Sequence, residues 1–222
     1  MSKRVELDFS RKYDDEHARK YFRKHRDGFA RQMSDRRDKQ LARRALALAG
    51  EPGLVLDLPC GAGRFWPLLA EKANRVIIGA DNSASMVKTA CESQPAEVVK
   101  WVQPLQTSAF AIDMPDNAVD NIFCMRLLHH VGNPEDRAVL LNEFHRVTRD
   151  SVIISLWVDG NFKAWKRKRA ERNRHQEGYQ NRFVLPVATV EAEFEQAGFR
   201  IQERLDFLPL YAMWRVYLLR KR

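Results

Sequence analysis

From residue 54 onward the chain alternates short apolar runs with amphipathic stretches, and each pair reads as a strand followed by a helix. Leu54–Leu58 is apolar throughout except for Asp57, the pattern of a strand buried on both faces. After a glycine-containing turn, 64–73 reads as a helix, 75–80 as a second buried strand, and 83–93 as a helix with Ser83 as its N-cap. Residues 98–102 are expected as strand three, 121–125 as strand four and 151–157 as strand five, with a helix at 134–148 that has Pro134 in its first turn. A helix over 189–197 stops at Gly198, and 199–207 and 213–219 are expected to be closing strands. Residues 12–50 lack proline and read as helical up to the Gly50–Gly53 break, with Leu41, Ala45 and Leu48 as an apolar stripe and Tyr21, Phe22, Phe29 and Met33 as a second face. The predicted fold is α/β: a Rossmann-like doubly wound sheet, mostly parallel with an antiparallel closing strand, in a three-layer α/β/α sandwich.

Charge divides the chain further. The net charge is +9, and residues 1–50 and 160–182 hold all of the excess. We therefore read 1–50 as a basic helical N-terminal extension and 51–222 as the main domain, with a basic insertion at about 160–185. Such segments attract phosphates, nucleic acid or acidic headgroups, or serve only as solvated helix faces. Three scattered cysteines make neither a disulfide framework nor a zinc site, and no metal is expected. The charged N-terminus has no signal-peptide core and no apolar run is long enough to span a bilayer. A cytoplasmic protein is expected, with attachment to the inner membrane face as a variant raised by the basic segments.

The chemistry concentrates where strand one ends, in Asp57–Leu58–Pro59–Cys60–Gly61–Ala62–Gly63–Arg64. Glycines after a buried strand let the backbone turn sharply and approach a ligand closely, and the following amides suit a carboxylate or phosphate. The third glycine of a dinucleotide fingerprint would fall on Trp66, and no Gly–Lys–Ser/Thr follows, so neither that motif nor a P-loop fits. Asp81 ends strand two, 18 residues after Gly63, at an offset that suits both ribose hydroxyls.

The D-x-P-x-G-x-G turn resembles motif I of the class I S-adenosylmethionine-dependent methyltransferases, of the methyltransferase type 11, UbiE-like group, with Pro59 where a glycine usually stands. Asp81–Asn82 and the following Ser83-x-x-Met86 resemble the family's ribose motif. Ser108–Asp120 is similar to its D-A-x-x-L-P-F-x-D segment, with Ser108 where the adenine-contacting acid is usual. Met125–Val131 is similar to its L-H-H stretch. The likeness runs over about residues 54–207 and leaves both basic segments outside. It implies S-adenosyl-L-methionine as cofactor, held by Asp57, Pro59, Cys60, Gly61, Gly63, Asp81, Asn82, Met86, Ser108, Ala109 and Met125.

His129 and His130 follow strand four at the edge where open α/β sheets bind ligands, so either suits a general base, or the pair caps and packs the helix. Arg126 either orients an anionic acceptor or pairs with Asp81 or Asp57. The insertion from Phe162 to Arg174, with Trp165, reads as an amphipathic helix suited to an anionic, lipid-linked partner. The expected reaction is methyl transfer to a small-molecule, lipid-linked or glycolipid acceptor of anionic character. RNA is a further candidate, and DNA is disfavoured because no Asn-Pro-Pro-aromatic motif is present. Pro59 and Ser108 favour the alternative, a regulatory module that binds an anion or a signalling protein on the same fold.

Overall fold

The computed structural model describes residues 28–172 and 181–222. Seven strands form one sheet in the order β3-β2-β1-β4-β5-β7-β6. They are β1 (Leu54–Asp57), β2 (Val76–Asp81), β3 (Val102–Gln106), β4 (Val119–Cys124), β5 (Thr148–Trp157), β6 (Phe199–Asp206) and β7 (Trp214–Lys221). All neighbours pair in parallel except at β7, which runs antiparallel to both β5 and β6. The helices are α1 (Phe29–Leu48), α2 (Trp66–Leu69), α3 (Ala84–Ser93), α4 (Ala96–Val99), α5 (Pro134–Val147), α6 (Phe162–Arg172) and α7 (Val187–Gln196). This is the Rossmann-like three-layer sandwich with one antiparallel closing strand.

The strand period of two sorts alternate side chains onto opposite faces. Val55, Ile77, Phe123 and Ile153 pack on one side with Leu41, Ala45, Trp66, Leu69 and Val87 of α1, α2 and α3. Leu56, Ile78, Ile122 and Ile154 pack on the other with Leu140, Phe144, Val190 and Phe194 of α5 and α7. α1 therefore shares a core with the sheet, against β7 and β6. Its stripe is Leu41, Ala42, Ala45, Leu46 and Ala49, while Leu48 and Met33 lie exposed. Phe29 falls on a residue whose side chain is not described, and Tyr21 and Phe22 lie outside the described residues.

Two elements differ from expectation. Val98 lies in α4 rather than in a strand, because Pro95 opens a short helix there, and β3 begins at Val102. Pro104 sits inside β3, which is tolerated because β3 is an edge strand with one side free of ladder bonds. The helix expected over 64–73 shrinks to α2, with Arg64 and Phe65 in the turn before it. Trp66 is fully buried there, and Gly79 of β2 makes room: a Cβ on Gly79 would lie 2.4 Å from the indole. The indole thus packs closely on the strand precisely because the strand residue opposite is glycine.

Candidate active site

The sheet order reverses between β1 and β4, so the C-terminal ends of β1, β2 and β4 border the crevice where such sheets bind ligands. The chain leaves β1 through a cis Leu58–Pro59 peptide into the glycine turn. Cys60 N–H donates to Ala80 O at 2.7 Å and Gly61 N–H to Asp81 Oδ2 at 3.0 Å, which ties the turn to the end of β2. Gly61 and Gly63 hold φ of 54° and 70°, where glycine is favoured. Among the described residues, no atom beyond its chain neighbours lies within 4 Å of the point where a Cβ of Gly61 would stand, so the described structure leaves the backbone open to a ligand there.

Asp81 accepts from Gly61 N–H through one oxygen and from Ser83 N–H, also at 3.0 Å, through the other. Each oxygen keeps a second lone pair for a further donor. Burial raises its pKa despite these amides. Asp57 is only 1% exposed and neither carboxylate oxygen has a hydrogen-bond partner. Burial and then the charge of Asp81 push its pKa well up, with the Trp66 indole acting the other way. A buried carboxylate without a donor is expensive to keep, and a cationic ligand group satisfies it. Burial likewise pushes the Cys60 thiol well up, so it stays protonated and unreactive.

The remaining turn residues line up around the crevice. Ser83 caps α3 by accepting from Met86 N–H at 3.3 Å, with Met86 buried and Asn82 exposed. Met125 follows β4 and is buried. Ser108 lies beyond β3, its Oγ accepting from Phe110 N–H at 3.2 Å, and keeps its own O–H to donate; Ala109 beside it is buried. Arg146 on α5 holds the loop that follows, donating to the carbonyls of Ile112 and Met114, and Glu143 accepts from Ile112 N–H at 2.8 Å. The Glu-x-x-Arg stretch of α5 is thus the brace for this side of the crevice.

Arg126 pairs with neither Asp81 nor Asp57. Its guanidinium bonds Asp38 of α1 and stacks on Trp214, 4.7 Å from the ring centre. Its backbone is left-handed, φ 66°, with its N–H on Ser155 Oγ at 2.8 Å; such strain in a non-glycine residue collects at functional sites. Asp38 also accepts from Arg64 of the glycine turn at 2.8 Å, and Asp35 accepts from Arg64 at 2.7 Å. α1 is therefore bolted to both walls of the crevice by residues the sequence reading did not single out. Asp35 and Asp38 stand three apart on one helix face, which was the available signal.

His129 sits in an aromatic box, its ring 4.0 Å from His130, 4.8 Å from Trp214 and 5.0 Å from Trp157. Burial, helped by the charges of His130, Arg182, Arg126 and Arg167, lowers its pKa to about 2, so the ring is neutral. His130 bonds the Asn181 carbonyl through Nδ1, which places the proton there and the lone pair on Nε2; burial lowers its pKa. Arg167 and Arg182 lie over the Trp157 ring at 5.1 and 5.8 Å. Within this box His129 Nδ1 and Trp157 Nε1 are buried with no hydrogen-bond partner among the described residues.

This crevice and this fold resemble those of class I S-adenosylmethionine-dependent methyltransferase domains. Residues 56–156 match the methyltransferase domain family, and S-adenosyl-L-methionine is its cofactor. Among solved structures the chain resembles the magnesium protoporphyrin IX methyltransferase of Synechocystis PCC 6803 with bound SAH (TM-score 0.76, 16% identity, 96% of this chain and 99% of that one). It also resembles a SAM-dependent methyltransferase from Aquifex aeolicus (TM-score 0.65, 21% identity, 95% and 100%). In sequence, 111 residues are 31% identical to a tRNA U34 carboxymethyltransferase of Shewanella woodyi, over 48% of this chain and 32% of that protein. The chain thus spans about a third of the length of the curated relatives it matches.

The residues fit the cofactor. The orphaned Asp57 suits its ammonium, the spare lone pairs of Asp81 suit its ribose hydroxyls, and the bare Gly61 backbone admits close approach. When bound, the cofactor supplies a methyl already activated on a sulfonium. What the chain adds is position and exclusion of water.

Proposed function

We propose that this domain methylates an acceptor that carries an anionic oxygen group, of small-molecule, lipid-linked or glycolipid type. The observation behind this reading is the box at the ends of β4 and β5. Two unpartnered buried nitrogens there, Trp157 Nε1 and His129 Nδ1, stand among three arginines, Arg126, Arg167 and Arg182. An oxygen-bearing acceptor accepts from the indole N–H, and its negative charge answers the positive field that adds to burial in keeping His129 neutral. His130, with its lone pair on Nε2, is the side chain suited to take the acceptor's proton, while His129 shapes the box.

The test is transfer of labelled methyl from the cofactor into a cell extract divided into lipid, small-molecule, RNA and protein fractions. The reading expects label in the lipid or small-molecule fraction on acidic compounds, and Arg167→Gln to raise the acceptor KM on the order of tenfold with cofactor affinity intact. Label confined to neutral compounds or protein refutes it. RNA labelling turns the reading toward a tRNA acceptor, as in the tRNA U34 carboxymethyltransferases of Shewanella. The regulatory-module reading is tested separately by calorimetry: a chain that binds no S-adenosylmethionine fits that module, whereas a cofactor-binding chain loses binding on Asp81→Ala.

A further inference from the structure

α6 is not amphipathic by itself. Six of its eleven residues are Lys or Arg, and its apolar members are Phe162, Ala164, Trp165 and Ala170. Ala164 faces inward. The apolar surface is completed from elsewhere, by the loop 207–213 between β6 and β7. That loop is fixed to the first turn of α6: Phe162 N–H donates to Leu210 O at 2.9 Å and Lys163 N–H to Tyr211 O at 3.0 Å. Phe162 stacks on Tyr211 at 5.9 Å with the ring planes nearly parallel, and Trp165 lies 5.9 Å from Phe162. The result is one continuous apolar ridge, with Leu210 83% exposed at its tip and Trp165 54% exposed.

Cations border this ridge. Lys163 lies over Tyr211 at 5.2 Å and Arg169 over Trp165 at 5.6 Å, and Lys166 and Lys168 are exposed on the same helix. The one acid of α6, Glu171, is engaged by Arg167 at 2.7 Å. Large exposed apolar residues in contact with one another mark an interaction site rather than ordinary surface. Aliphatic side chains at a protruding tip separate the two polyanions that a basic face attracts. A bilayer interface takes up Leu208, Leu210 and the rings and meets the lysines with headgroup charge, whereas RNA offers nothing for leucines to enter.

We propose that α6 and the β6–β7 loop form a docking surface for an anionic phospholipid bilayer, with Leu210, Trp165, Phe162 and Tyr211 inserted at headgroup depth and Lys163, Lys166, Lys168 and Arg169 on the phosphates. The docking surface holds whatever the acceptor is, and its test reads no methyl transfer.

The experiment is sedimentation of the full chain with phosphatidylcholine vesicles, pure or containing about one third phosphatidylglycerol. Binding is expected only to the anionic vesicles and is expected to fall as salt rises. Lys163→Gln with Lys166→Gln weakens it by roughly fivefold per cation removed. Trp165→Gln with Leu210→Asn weakens it on the order of tenfold; asparagine is chosen because Leu210 has φ 61°, which asparagine adopts readily. All four side chains are exposed or rim positions, so melting temperature and cofactor affinity stay those of the parent and report that the variants fold. Three results overturn the proposal: no binding to anionic vesicles at low salt; equal binding by the Trp165→Gln, Leu210→Asn variant, which leaves only general basicity; or tighter binding to tRNA than to vesicles that weakens with the same pair of substitutions.

Discussion

Asp38 is where the structure makes its most exposed claim. The residue is 5% accessible, and its carboxylate receives Arg64 from the glycine turn and Arg126 from the end of β4. Asp38→Ala leaves two guanidinium groups without their anion. Removing one partner of a buried ion pair costs about 3–5 kcal/mol. Arg64 and Arg126 are 17% and 26% exposed and regain some water, and Asp35 still holds Arg64, which brings the expected loss to about 2–4 kcal/mol. For a chain of this size each kcal/mol moves the melting temperature by about 2–4 °C, so calorimetry is expected to record a fall of roughly 5–12 °C. Asp38→Asn, which keeps an acceptor, falls less. A cycle with Arg126→Met gives the coupling directly, expected at about 1–2 kcal/mol. A melting point within about 2 °C of the parent for Asp38→Ala refutes the account of α1 as a bolted wall.

Three other outcomes follow from the same contacts. Asp57→Asn removes a buried carboxylate whose pKa is raised in the fold, so its destabilisation is absent below the unfolded value of 3.8 and grows as pH rises through the folded value; melting curves of the cofactor-free variant at neutral pH are expected above the parent's, while calorimetry shows weaker cofactor binding. For His129 the sign is opposite in proton terms: the unfolded ring takes a proton below 6.5 and the folded one only near 2, so stability falls as pH drops below 6.5 by up to about 1.4 kcal/mol per unit, and His129→Gln flattens that slope in a pH series of melts. Gly79→Ala drives a methyl to 2.4 Å from the Trp66 ring and is expected to cost about 1–3 kcal/mol, of which Trp66→Leu in the same chain recovers part in a double-mutant cycle.

The sheet was readable because its strands are continuous apolar runs flanked by turn residues, and so was the glycine turn, whose Asp57 and Asp81 are fixed by chain order alone. β3 was not, since a proline and three exposed positions hide an edge strand that buries little. The partner of Arg126 was also hidden. Chain order places Asp57 and Asp81 at the same sheet edge, whereas Asp38 lies 88 residues away on a helix whose docking depends on tertiary packing. The aromatic box was half legible: His129 and His130 stood out in sequence, but Trp157 and Trp214 meet only because β7 pairs antiparallel with β5 at that register. The apolar ridge required the same kind of long-range closure, from Leu210 back to Phe162.

These long-range pairings explain how one crevice keeps charges of both signs without collapsing. Arg64 departs from the turn that begins at Asp57, and Arg126 departs from β4, the strand beside β1. Neither guanidinium bonds the orphaned carboxylate of Asp57, whose desolvation leaves it an unmet demand for a cation among the described residues. Both are instead held by Asp38, and Arg64 also by Asp35. The acids of α1 therefore hold the two cations that leave the glycine turn and β4. If the cations released by Asp38→Ala turn to Asp57, cofactor affinity falls and replacing Arg126 by Met in the same chain restores it, whereas a purely structural role predicts that the second substitution lowers affinity further; calorimetry of the single and double variants decides between the two.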